Sequence, residues 1–221
     1  AANVTLAAVG TTIPVSTLAA TANVLTGSGN LSTTSGTTLT VASGSTISGV
    51  IQGAGGLTKV GAGVLTISAA NTYTGVTNVN AGTLQLQNGA AILDTAGAVN
   101  VALGATLQLL NNETVSSFSG LGEAGAGTND STLALGNNVL TTTGAAALGN
   151  VTSGTTGGVV AGTTITDNDD DNNVTGTGIF LQAPGGVGAM ANPIETSVAN
   201  LEASGGTGGV FIQNTGNLDA G

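Results

Sequence analysis

Val64-Leu65-Thr66-Ile67, Thr83-Leu84-Gln85-Leu86, Thr106-Leu107-Gln108-Leu109 and Thr132-Leu133-Ala134-Leu135 repeat one pattern, and Thr38-Leu39-Thr40-Val41 precedes them with the same one. Apolar residues hold the second and fourth places, and mostly Thr or Gln the third. Successive side chains of an extended chain point to opposite faces, so this period of two marks a strand with one buried and one solvated face. The starts, at 38, 64, 83, 106 and 132, lie 26, 19, 23 and 26 residues apart. Between them stand clusters such as Ser43-Gly44-Ser45 and Asn111-Asn112, which read as turns.

A longer echo supports a repeat architecture. Val79-Asn80-Ala81-Gly82-Thr83-Leu84-Gln85-Leu86 returns, with insertions, as Val99 to Leu109. Each unit therefore holds two or three short strands joined by tight turns, and one unit alone cannot bury its apolar face. Stacked units bury a continuous stripe, with their strands paired in parallel. A sandwich or barrel, the competing all-β architecture, would need many two-residue hairpin turns, and only Asn88-Gly89 fits that signal cleanly. The expected fold is thus all-β, a right-handed parallel β-helix over residues 1–221 without a linker. Intervals averaging about 23 residues give roughly nine or ten coils, and a strand spacing of about 4.8 Å makes a rod on the order of 45 Å long. Asn23-Val24-Leu25-Thr26 is expected as a strand of an early coil.

Composition agrees and narrows the function. Gly supplies 38 of the 221 residues, charged residues only 5% and aromatics 2%, with no Trp, Cys or His. That is too little bulk for a conventional globular core, yet 40% of the residues are hydrophobic, which argues against disorder. The net charge of −10 arises from eleven acids facing one base, Lys59. Nucleic-acid binding depends on cationic groups that displace counterions from phosphates, and adhesion to anionic lipid needs a polybasic patch. Both are excluded as roles, and no run of 18 apolar residues is present to insert into a membrane. The start at Ala1 suggests a processed or excised segment.

Catalytic groups are nearly lacking. Without His or Cys there is no ordinary general base, thiol nucleophile or transition-metal ligand. Glu113 and Glu123 could meet across coils as glycosidase carboxylates do, but scattered solvent-facing acids are the expectation. The glycines form no phosphate-binding pattern and read as turn residues. Thr37, Thr38, Thr40 and Thr163, Thr164, Thr166 suggest the ladders of ice-binding proteins, but their unequal spacing favours ordinary strand surface. Asp167-Asn168-Asp169-Asp170-Asp171-Asn172-Asn173 is the one cluster with hard-cation character, since alternate oxygens at 167, 169 and 171 match the opening of a calcium loop. Asn172 stands where that loop needs Gly, and Gly178 where it needs Glu. A solvated acidic loop over 167–173 is therefore expected, with Ca²⁺ at 167–171 as the alternative. No enzymatic activity, cofactor or catalytic residue is expected.

Two resemblances add to this. Gly53-Ala54-Gly55-Gly56-Leu57-Thr58-Lys59-Val60-Gly61-Ala62-Gly63-Val64-Leu65-Thr66-Ile67, followed by Asn71-Thr72-Tyr73-Thr74-Gly75 and Val79-Asn80-Ala81-Gly82-Thr83-Leu84, closely resembles the passenger-associated transport repeat of autotransporters. Val76 departs from it, where a second Gly is commoner. Pro184-Gly185-Gly186-Val187-Gly188, Asn192-Pro193-Ile194-Glu195-Thr196 and Gly209 to Gly216 are similar to coils of filamentous-haemagglutinin-type surface proteins. Both resemblances imply a β-helix exported to the bacterial cell surface, with roles in adhesion or matrix building. They suggest an adhesin stalk or a fibre subunit that stacks end to end. The partners implied are flanking coils, further copies, or receptors on host or neighbouring cells.

Overall fold

A computed structural model describes residues 4–6, 12–22, 25–94, 97–122, 129–168 and 173–218. The chain winds into a parallel β-helix. Eleven strands stack into its longest sheet, from Val4–Leu6 through Ser45–Ile47, Val64–Ile67, Thr83–Leu86, Thr106–Leu109 and Thr132–Gly136 to Ile212–Asn214, each parallel to its neighbours. Ten steps of about 4.8 Å make this sheet about 48 Å long.

A second sheet includes Thr12–Ala22, Asn30–Val41, Leu57–Val60, Thr77–Val79, Ala98–Val101, Ser117–Gly120, Ala146–Leu148 and Ile165–Asp167. Asn30–Val41 serves two faces. Its first half pairs with Ile51–Gly53 and its second half with Leu57–Val60. From Glu113–Val115 onward a third sheet closes each coil, through Val139–Thr142, Gly157–Ala161 and Gly178–Gln182 to Asn200–Ser204. Asn23 and Val24 lie outside the described residues, and the strand expected there is Leu25–Gly27.

Alternation within each strand builds the interior. Leu65, Leu84, Leu107, Leu133, Val151 and Val174 stand in register on six successive coils, all fully or almost fully buried. Ile47, Ile67, Leu86 and Leu109 form a second column beside them. Each buried aliphatic side chain stabilises the stack by about 1.5–3 kcal/mol relative to exposure. The opposite face carries a polar column in which Thr66 Oγ1 donates to Gln85 Oε1 at 2.7 Å and Gln85 Nε2 to Gln108 Oε1 at 2.8 Å.

One repeat belongs on a different face from the one its pattern implied. Thr38–Val41 lies in the second sheet, where Leu39 pairs with Lys59, and the main-sheet member of its coil is Ser45–Ile47. Ser45 holds the inward place that Leu65 fills one coil later, so the apolar pattern is broken there. The 26-residue interval therefore joins two faces, whereas the coil from Ser45 to Leu65 is 20 residues long. From Leu65 onward the coils measure 19, 23, 26, 18 and 23 residues.

Leu107 and Gln108 separate the two contributions. Leu107→Ala should lower stability by about 2–5 kcal/mol, because the cavity would be clamped between Leu84 and Leu133. Gln108→Ala should cost no more than about 1 kcal/mol, a net hydrogen bond on the outer face. Urea denaturation followed by circular dichroism measures both.

Candidate functional site

The residues that single out the segment around 57–86 are buried. In Leu57–Val60 the alternation turns Leu57 and Lys59 inward, and Lys59 is fully enclosed. Its Nζ donates to the carbonyls of Val60 at 3.2 Å, Gly61 at 2.7 Å and Ala81 at 2.9 Å. The ammonium thereby ties the turn of its own coil to the turn of the next. The peptide bond after the single base is thus shielded from trypsin in the folded chain.

That turn admits no side chain. Gly61 has φ of 80°, and a Cβ on it would meet the Val41 carbonyl oxygen at 2.5 Å. Gly82, φ 65°, would meet the Gly61 oxygen at 2.5 Å. Glycine is required here both by its left-handed backbone and by the close approach of the neighbouring coil.

Asn71 forms a second tie. Its Oδ1 accepts the Ile51 amide at 2.8 Å from the coil before, and its Nδ2 donates to the Ala91 carbonyl at 2.7 Å in the coil after. Ala91 and Ile92 in turn donate their amides to the Glu113 carboxylate at 3.3 and 2.9 Å. A column of side chain and backbone thus joins positions 51, 71, 91 and 113 along one inner corner. Within the same coil the Tyr73 hydroxyl meets Thr77 Oγ1 at 2.6 Å, with both residues buried.

The acids depart from the expectation of a solvated surface. Glu113 is 2% exposed, Asp130 5% and Asp167 8%. Glu113 lies inward because it alternates with buried Val115 and because two backbone amides need its oxygens. Glu123, its suggested partner, lies outside the described residues. So do Asp169, Asp170, Asp171 and Asn172, the centre of the acidic run. At the ends of that run, Asp167 closes a strand and accepts from Asn173 Nδ2 at 2.6 Å, while Asn168 donates to the Gly120 carbonyl. Among the described residues no three acids come together as a metal site.

Burial sets the ionisation of these interior groups. It raises the Glu113 carboxyl from an ordinary 4.5 to about 8, against the pull of its two amide hydrogen bonds. It lowers the Lys59 ammonium from 10.5 to about 8. It also pushes the Tyr73 phenol well above its ordinary range. None of the three is placed to exchange protons with a substrate.

Comparison with known families matches residues 57–86 to the passenger-associated transport repeat. This segment is a passenger-associated transport repeat. The repeat and the parallel coils around it fit the β-helix of an autotransporter passenger. No curated protein and no solved structure matches the chain. The repeat's polar signature is accounted for by structure: Lys59, Asn71 and Tyr73 point inward and stitch one coil to the next.

The shifted groups give a signed pH dependence. Folded Glu113 holds a proton that the unfolded chain releases above about 4.5, so its contribution is complete below that pH and is lost towards pH 8. Folded Lys59 releases its proton near pH 8 and the unfolded chain near 10.5, so stability rises over that interval. The melting temperature should pass through a minimum near pH 8. Glu113→Gln should flatten the acid side of that minimum and Lys59→Met the alkaline side, as measured by thermal denaturation from pH 5 to pH 10.

Proposed function

We propose that this chain is a non-enzymatic rod segment of a secreted bacterial surface protein, an adhesin stalk of the autotransporter-passenger type. The observation that carries this is the inward use of the repeat's distinctive polar residues. Lys59, Asn71, Tyr73 and Glu113 all hold coils together, which leaves the rod and its outer ladders as the parts available to a partner. The C-terminal coils, similar to those of filamentous-haemagglutinin-type proteins, extend the same rod. Parallel stacking satisfies the backbone without disulfides or surface ion pairs, which suits a protein working outside the cell.

A second reading has its own observation. Leu201, Ala203 and Ile212 of the last described coil point towards the core yet are only partly covered. A further coil, of this chain or of another copy, would cover them, and repeated stacking between copies would make a fibre.

The test displays the full gene product on a bacterial host and follows attachment of the cells to epithelial monolayers, with electron microscopy of the purified chain alongside. The stalk reading expects antibody-accessible protein, attachment above that of cells lacking residues 1–221, and separate short rods. Filaments with a repeat of one subunit length would replace it with the fibre reading. Cells that expose the rod but attach no better would remove the adhesive role.

A further inference from the structure

A groove of about 320 Å³ crosses the outer face of the third sheet, lined in part by Thr155, Gly157, Phe180, Asn200 and Glu202. Val139, Gly158, Phe180 and Glu202 form one rank on four successive strands, in register. A Cβ on Gly158 would lie 2.3 Å from the Phe180 ring, so the ring lies directly against the bare backbone of its neighbour. Gly158 is therefore the space that seats the aromatic ring, while Phe180 itself stays half-exposed. One strand further on, about 4.8 Å away along the stack, comes the exposed carboxylate of Glu202.

The remaining polar groups of the groove act as acceptors. Thr155 Oγ1 donates its proton to Asn137 Oδ1 at 3.3 Å, and Asn200 Nδ2 reaches the Thr177 carbonyl at 3.5 Å. A carboxylate, an aromatic face and acceptor oxygens together suit a cation and give an anion no positive partner. The wider field has the same sign, since the net charge is −10 and the single base, Lys59, is enclosed. Such a field draws cationic partners to the surface.

We propose that this groove binds a cationic side chain, guanidinium or ammonium, presented by a basic polypeptide. The positive group sits over Phe180 and pairs with Glu202. The proposal stands apart from the adhesive reading, because binding is measured in solution and either can fail alone.

The probe is fluorescein-labelled hexa-arginine, titrated into the purified chain at low ionic strength and followed by anisotropy. Glu202→Gln and Phe180→Leu should each weaken binding by about threefold, as expected for an exposed ion pair and an exposed cation–π contact. Phe180→Tyr, which keeps the ring, should bind as the parent does. Asp94→Asn removes one exposed charge elsewhere and should leave affinity unchanged. Equal losses in Glu202→Gln and Asp94→Asn would reduce the effect to bulk charge and overturn the site. So would unchanged binding in Phe180→Leu, or displacement of the peptide by cellohexaose. Circular dichroism of each variant verifies that it is folded.

Discussion

Every coil must satisfy its backbone amides and carbonyls with the coils on either side, and the molecule is organised around that requirement. Strands meet it through their parallel ladders. Corners cannot, because the chain turns there and the ladder is interrupted. Side chains take over at those points: Asn71 bridges Ile51 and Ala91, Glu113 takes the amides of Ala91 and Ile92, and Lys59 gathers three carbonyls. Asn112 and Asn137 do the same further along, accepting the amides of Val139 and Thr155. The aliphatic columns then fill the space that these ties enclose.

The scarcity of charge follows from the same requirement. A coil presents two kinds of surface, an apolar interior and neutral outer ladders such as Thr66, Gln85 and Gln108, and neither needs ion pairs. Where charges do appear they carry structural cost. An enclosed ammonium and an enclosed carboxyl persist because hydrogen-bonded backbone surrounds them, and their shifted ionisation records the price of burial.

The fold was legible because period-two apolar pairs recurred with turn residues between them, and the architecture needs little else. The assignment of strands to faces was not. Thr38–Val41 and Val64–Ile67 have the same local pattern but different neighbours, and only the winding of the intervening chain decides which sheet each joins. The inward positions of Lys59 and Glu113 were present in the alternation with Leu57 and Val115. Charged residues are so rarely enclosed that their type pointed outward while their position pointed inward. The groove beside Phe180 had no sequence signal, since Gly158, Phe180 and Glu202 are brought together by coil length alone.

The regular advance of coil upon coil can be measured directly. Thr46, Ala134, Thr152 and Thr175 belong to one outward column of the longest sheet, with Ala134, Thr152 and Thr175 respectively four, five and six strand steps from Thr46. Nitroxide labels placed pairwise at 46 with 134, 152 or 175 report these separations by pulsed electron paramagnetic resonance. A parallel β-helix in this register predicts about 19, 24 and 29 Å between backbone positions, rising by one strand spacing at each step. Distances that fail to rise in that order, or that coincide for the three pairs, would contradict it.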